Sequence, residues 1–178
     1  VGSIAGNEER PSFILCDAIG NVYATGQTSA TNFPTLALAG AYNQPVFGGG
    51  SGLYGDSFIL RFTAATGVRT WATYYGGTGE EIAFSIAKDG GNNIYISGYT
   101  DSPAASFPLQ TWAGAYNDAT LGGASDCFIL RFTSAGVRTW ATYYGGSGSE
   151  YYNAIACDGA DNIYVTGKYW RPYIFALF

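Results

Sequence analysis

Acidic residues are the main side chains of this sequence that could do catalytic chemistry. The 178 residues include no histidine, which excludes Ser-His and Cys-His nucleophilic pairs and histidine metal sites. Two adjacent glutamate pairs, Glu8-Glu9 and Glu80-Glu81, precede similar segments, and Glu150 keeps half of the pair later on. Neighbouring residues on a strand point to opposite faces, so neither pair is expected to work as an acid–base couple. The sequence therefore predicts no catalytic residues and no enzyme activity.

The other polar motifs give little support to metal, cofactor or phosphate sites. Three turns each begin with one aspartate, Asp17, Asp89 or Asp158. Calcium is the alternative occupant of these turns, but it takes about six to eight oxygen ligands, so we expect each aspartate to cap its own turn. The glycine runs at 48–50 and 122–123 lack the Lys-Ser/Thr of a P-loop. No metal and no cofactor are predicted.

The composition is that of a β-rich chain with a weakly charged surface. Charged residues make up 12% of the sequence, against 26 glycines and 15 tyrosines, and the net charge is −5 without a basic cluster. Nucleic-acid binding is therefore not expected. No apolar run approaches the ~20 residues of a membrane helix, and nothing at Val1 resembles a signal peptide, which predicts a processed or excised chain without membrane insertion. At most one disulfide can join the three cysteines, Cys16, Cys127 and Cys157.

A repeat of about 70 residues organises the chain. The sequence Phe-Ile-Leu-Arg-Phe-Thr occurs at 58–63 and 128–133, and Trp-Ala-Thr-Tyr-Tyr-Gly-Gly occurs at 71–77 and 140–146. A turn motif, Asp-x-x-x-Asn-x-Tyr, occurs three times. Residues that recur in each unit usually serve the architecture. The predicted units of this single repeat domain, 1–178, are residues 7–76, 77–145 and 146–178, with residues 1–6 as a separate strand.

Each unit reads as a small antiparallel sheet with two apolar faces. In the middle unit, β-type runs at 84–88 and 93–97 flank an Asp-Gly-Gly-Asn turn, and two more runs follow at 128–132 and 138–144. A sheet with two apolar faces must be sandwiched between neighbours, as the blades of a β-propeller are. We predict an all-β, propeller-like array of about three four-stranded antiparallel blades. The residues assigned to its architecture are Asp17, Tyr23, Trp71, Asp89, Tyr95, Trp140, Asp158 and Tyr164.

The ordered motifs resemble those of the bacterial SBBP family of β-propeller repeats. The resemblance covers nearly the whole chain and implies a secreted or cell-surface protein without a shared active site. In the first unit the matching residues are Asp17, Asn21, Tyr23, Gly26, Phe33, Pro34, Tyr42, Asp56, Phe58, Trp71, Tyr74, Gly76 and Gly77. In the second unit they are Asp89, Asn93, Tyr95, Gly98, Phe107, Pro108, Tyr116, Asp126, Phe128, Trp140, Tyr143, Gly145 and Gly146.

The third unit departs from this pattern at its end. It keeps the turn motif but stops without the Trp-x-Thr-Tyr strand, whereas residues 1–6 align with the tail of that strand at 72–77. We expect the N-terminal strand to complete the third blade, either within the chain or in a neighbouring copy. The predicted assembly residues are Val1, Ser3, Ile4, Ile174, Phe175, Leu177 and Phe178.

The leading functional hypothesis is a non-enzymatic structural protein, secreted or on the cell surface, whose copies associate through complementary ends into a filament or surface layer. A second hypothesis is a carbohydrate-binding or adhesive module that uses aromatic residues of the long loops to contact surface glycans. A third is a fragment of a larger multi-repeat surface protein. The loop residues assigned to ligand binding are Tyr42, Tyr54, Trp112 and Tyr116.

Overall fold

The computed structural model describes residues 8–50, 54–169 and 174–177. These residues form eleven β-strands and no helix, so none of the described chain is a helix able to cross a membrane. The strands are β1 (Glu9–Cys16), β2 (Asn21–Thr28), β3 (Asp56–Thr63), β4 (Arg69–Tyr75), β5 (Glu81–Lys88), β6 (Ile94–Thr100), β7 (Asp126–Phe132), β8 (Arg138–Tyr144), β9 (Glu150–Cys157), β10 (Ile163–Tyr169) and β11 (Ile174–Leu177).

The strands form three antiparallel sheets in chain order, which we call the first, second and third blades. The first blade is β1-β2-β3-β4, the second is β5-β6-β7-β8 and the third is β9-β10-β11. The predicted all-β, propeller-like fold is confirmed. Among the described residues, however, the third blade has three strands and not four. The strand predicted at residues 1–6 lies outside the described residues.

An aspartate-centred turn begins the second strand of each blade. In the second blade, Asp89 accepts hydrogen bonds from the backbone N–H of Asn93 (2.8 Å), from its side-chain amide (2.7 Å) and from the Tyr95 hydroxyl (3.3 Å). Asp17 and Asp158 make the same set of bonds in the other two blades. The carboxylate replaces bonds that the backbone cannot make in a tight turn, which explains the recurring Asp-x-x-x-Asn-x-Tyr motif.

Each blade has two different apolar faces. We call the side of a blade that carries Phe128, Leu130 or their equivalents its Phe face, and the side that carries Trp140 or its equivalent its Trp face. The Trp face of the first blade packs against the Phe face of the second, and the Trp face of the second packs against the third blade. Each blade thus turns its Trp face toward the following blade, and the blades stack in one direction along the chain.

The long loops at 29–55 and 101–125 fold back onto their own blades. Phe33 and Phe107, one in each loop, are buried, and Leu36 and Gln110 form isolated β-bridges with the outer strand of the blade. These contacts hold the loops beside the fourth strand, next to the following blade. Cys16, Cys127 and Cys157 are all described and form no disulfide with one another.

Candidate functional site

A carboxyl pair is buried where the first blade meets the second. Asp56, at the start of β3, and Glu81, at the start of β5, are fully buried and converge on Gly76. A Cβ on Gly76 would overlap the Glu81 carboxyl and lie 2.7 Å from Asp56 Oδ1. Backbone N–H groups hold both acids in place: Gly48 donates to Asp56 (2.8 Å) and Gly77 donates to Glu81 (3.0 Å).

The same pair occurs at the junction between the second and third blades. Asp126 and Glu150 are buried and converge on Gly145, where a Cβ would lie 2.6 Å from an oxygen of each. Asp126 Oδ1 and Glu150 Oε2 are buried without a hydrogen-bond partner, and the two carboxyl groups lie close enough to shift each other's pKa. The buried carboxyl pair at a blade junction is therefore a feature of the repeat.

Burial raises the pKa values of these acids. Desolvation raises the pKa of Asp56, of Glu81 and of Glu150 to about 7, and it also raises that of Asp126. The negative charge of the opposite acid adds to the pKa of Asp56 and of Glu150. Because the pairs are buried and line none of the three described cavities, they contribute to the blade junctions and offer no surface to a substrate.

These carboxyl pairs are not among the arrangements predicted from the sequence. Glu80 and Glu81 are not expected to act as a couple, and Glu81 instead lies beside Asp56 of the preceding blade. Asp56 and Asp126 are the first residues of β3 and β7, and both are fully buried. In two units an aspartate precedes the Gly-Gly pair and a glutamate follows it, and this recurrence could have indicated that the two acids are related.

The Phe face of the first blade is partly open. Ile14 is 69% exposed, whereas its equivalent in the second blade, Ile86, is 6% exposed. Leu60 is likewise partly exposed, but Leu130 is fully buried. A groove of about 550 Å³ runs over this face. It is lined by Glu9, Pro11, Ala24, Phe33, Pro34, Phe58, Leu60, Phe62 and Arg69.

The aromatic residue Tyr42 contributes to the first blade junction. Arg138 of the second blade lies over the Tyr42 ring, 4.6 Å from its centroid, and donates a 2.7 Å hydrogen bond to Pro108 O. The Tyr42 ring also packs against Phe132, at 6.3 Å between centroids. The ligand-binding role of Tyr42 stays a prediction, and Arg138 and Phe132 of the next blade contact its ring.

Tyr116 holds the place of Tyr42 in the second loop, and both Tyr116 and the nearby Trp112 are exposed. They are 40% and 47% exposed, and with Trp140 they line a cavity of about 240 Å³ beside the third blade. The indole of Trp140 donates to Tyr116 O (2.9 Å), as the indole of Trp71 does to Tyr42 O. The ring of Tyr116 is therefore more accessible than that of Tyr42, which the next blade contacts.

Tyr54, the fourth predicted ligand residue, lies at a different place. It lines a cavity of about 410 Å³ near the beginnings of β1, β5 and β9, together with Arg10, Tyr99 and Tyr151. The guanidinium of Arg10 lies 5.6 Å from the Tyr54 ring centroid, and the Tyr99 and Tyr151 rings are 5.1 Å apart. The four predicted residues thus occupy three separate sites.

The predicted assembly residues fall at the chain ends. Val1, Ser3, Ile4 and Phe178 lie outside the described residues. The backbone of Ile174, Phe175 and Leu177 forms β11, which pairs with β10.

The residues assigned to the architecture lie in the turns and blade faces described above. No group of three potential metal-ligating side chains occurs in the described part of the chain.

The sheets and their complementary faces define an array of β-propeller blades. Residues 139–168 match the family model of the SBBP β-propeller repeat. This match confirms the resemblance inferred from the motifs, for the 30 residues that it covers. It is also 31% identical over 136 residues to an uncharacterized WD repeat-containing protein of Acanthamoeba polyphaga mimivirus. That match covers 66% of this chain and 10% of the relative's length.

Proposed function

We propose that this chain is a non-enzymatic scaffold, secreted or at the cell surface, whose copies associate end to end through their blade faces. The observation that supports this most is the open Phe face of the first blade. Its apolar residues are the equivalents of residues that the second blade buries completely, as Leu60 and Leu130 illustrate. An apolar sheet face of this kind is stabilised when another sheet covers it.

The surface that fits this Phe face is the Trp face of another blade, because the junction between the first and second blades joins a Trp face to a Phe face. In a second copy, the outer side of the third blade is the corresponding surface. Tyr164 is 42% exposed there, whereas its equivalent Tyr95 is 4% exposed against the third blade. Contacts between two different ends are heterologous, so they build a ring if they close and a filament or layer if they do not.

The test is the association state of the purified chain, measured by sedimentation velocity over a range of concentrations. We expect concentration-dependent oligomers from the unmodified chain and monomers from Leu60→Glu, because the new carboxylate would have to be buried. Val46→Glu is the control, since Val46 is 71% exposed and lies outside the groove. A monomeric unmodified chain, or oligomers unaffected by Leu60→Glu, would reject self-association.

The cavity beside Tyr54 supports a second candidate function, binding of a neutral or anionic sugar. Tyrosine rings offer stacking faces, and Arg10 and Gln27 offer hydrogen-bond donors around the same cavity. A glycan array with the unmodified chain and with Tyr54→Ala tests it. Binding that Tyr54→Ala abolishes supports the sugar site, and binding that is absent or unchanged rejects it.

A further inference from the structure

The two blade junctions hold their carboxyl pairs in different surroundings. At the first junction, the side-chain amide of Gln44 donates a hydrogen bond to Asp56 Oδ2 (3.1 Å). The Thr100 hydroxyl and the backbone N–H of Gly77 donate to the two carboxyl oxygens of Glu81. Of the four oxygens of this pair, Asp56 Oδ1 is the one that is buried without a hydrogen-bond partner. Hydrogen-bond donors thus compensate most of the burial of the first pair.

At the second junction, one oxygen of each acid is buried without a donor. The backbone N–H of Gly122 donates to Asp126 Oδ2 (2.9 Å), and that of Gly146 bonds to the Glu150 carboxyl. The other oxygens, Asp126 Oδ1 and Glu150 Oε2, have no hydrogen-bond partner, although both residues are at least 98% buried. These two oxygens converge, because a Cβ on Gly145 would lie 2.6 Å from each of them. Two fixed carboxyl groups thus direct unbonded acceptor oxygens at one place.

A third acid takes the place of Gln44 at the second junction. Asp118 is its equivalent, since the backbone N–H groups of Gln44 and Asp118 donate 2.7 Å hydrogen bonds to Thr73 and Thr142 of the fourth strands. Gln44 supplies a donor to its aspartate, whereas an ionised aspartate has only acceptor atoms. Burial raises the pKa of Asp126, and the negative charge of Asp118 adds to it. The second junction therefore has more negative charge than the first and fewer donors to compensate it.

The atoms that converge at the second junction favour calcium among the common metal ions. Buried carboxylates are stable when a proton, a basic side chain or a metal ion neutralises them. The sequence has no histidine, and Cys127, which follows Asp126 on a strand, points to the opposite face. Oxygen ligands without nitrogen or sulfur suit calcium or magnesium better than zinc or copper. Magnesium keeps several of its water molecules, and a buried pair leaves little room for them.

We propose that the second junction binds one calcium ion between Asp126 Oδ1 and Glu150 Oε2. Two side chains bind the ion directly, Asp118 adds negative charge nearby, and backbone carbonyl groups and water complete the oxygen shell. One such carbonyl is that of Gly146, which would lie 2.3 Å from a Cβ on Gly122. The ion replaces the proton that otherwise neutralises the pair, and it ties the third blade to the second. The site goes beyond self-association, because all of its residues belong to one chain.

The test is isothermal titration calorimetry of the full chain, first treated with a chelator, with calcium chloride at pH 7.5. We expect saturable binding of one ion per chain and a thermal unfolding midpoint raised by about 5 °C at saturating calcium. Magnesium chloride is expected to bind at least about tenfold more weakly. Absence of saturable calcium binding, or magnesium binding as tight as that of calcium, would overturn the proposal.

Variants of the two acid pairs locate the ion. Glu150→Gln removes one carboxylate, and its amide can donate to Asp126 Oδ1, so the variant is expected to fold without calcium and to bind calcium at least about tenfold more weakly. Glu81→Gln is the matched control at the equivalent position of the first junction, and a change in affinity within about twofold is expected. Equal losses from the two variants, or calcium binding that Glu150→Gln leaves unchanged, would reject this location. A monomeric chain that binds calcium would reject self-association and keep the calcium site.

Discussion

The carboxyl groups of Asp56 and Glu81 meet across the first blade junction, over the α-carbon of Gly76. Each is the first residue of its strand, and each belongs to a different blade. The second junction repeats the arrangement with Asp126 and Glu150. A buried pair of acids with no basic partner is stable when the pair keeps protons, so the blade junctions link stability to pH.

Stability is expected to fall as the pH rises from about 4.5 to 7. Burial raises the pKa of Asp56, Glu81 and Glu150 to about 7 in the folded chain. Between the unfolded and folded pKa values, the folded chain holds protons that the unfolded chain has lost. Each such proton costs ~1.4 kcal/mol of stability per pH unit. Urea unfolding from pH 4.5 to 8 measures this slope, and a stability that rises over the interval would contradict it.

Glu81→Gln is expected to reduce this pH dependence at the first junction. The amide is neutral at every pH and has nearly the shape of the protonated acid, so one titrating group disappears. The slope between pH 4.5 and 7 should become shallower by up to ~1.4 kcal/mol per unit. Glu8→Gln is the control, because Glu8 is exposed and pairs with Arg10 at the surface. An unchanged slope for Glu81→Gln would show that this acid is ionised in the folded chain.

Gly145→Ala is expected to destabilise the chain by roughly 2 kcal/mol or more. The added methyl group would lie 2.6 Å from oxygen atoms of both Asp126 and Glu150, and two buried acids cannot move apart without breaking their bonds. Gly159→Ala is the matched control, since a Cβ there meets no atom within 4 Å. Thermal unfolding of both variants measures the difference, and similar midpoints would contradict the tight packing at Gly145.

Arg138→Met is expected to cost about 1–3 kcal/mol, because the substitution removes the charge over Tyr42 and the hydrogen bond to the Tyr75 hydroxyl, both in the first blade. Methionine keeps most of the apolar stem, so the loss reports mainly on the guanidinium. Arg69→Met tests the same repeat position on the open Phe face of the first blade, where a change within about 0.5 kcal/mol is expected. Equal losses would mean that Arg138 acts within its own blade and not across the junction.

Asp89→Ala is expected to destabilise the chain by roughly 1–2 kcal/mol, because Asn93 and Tyr95 would lose their shared acceptor. Lys88→Ala, one position earlier, tests the effect of simply removing a charge next to the turn. Chemical denaturation compares the two variants. A loss from Lys88→Ala as large as that from Asp89→Ala would contradict the capping role.

The sequence predicted the local structure of this protein closely. The recurring Asp-x-x-x-Asn-x-Tyr motif places a turn before Ile94, and the alternation of Phe128, Leu130 and Phe132 places the strand that follows the loop. Both patterns depend on contacts within one repeat, so the residues that form them are close in the chain. The prediction of the ligand residues depended on how exposed each loop side chain is, and the loop sequences alone do not reveal that.

The sequence alone therefore determined the blade: its period, its strands, its turns and the apolar character of both faces. Only the tertiary structure decided what each copy of a repeated residue contacts. Leu60 and Leu130 hold the same position in the same motif, yet one borders an open groove and the other is buried. Asp56 and Glu81 become partners only when two blades stack. The physical reason is that the environment of a repeat residue depends on the neighbouring blade, and the neighbours differ along the array.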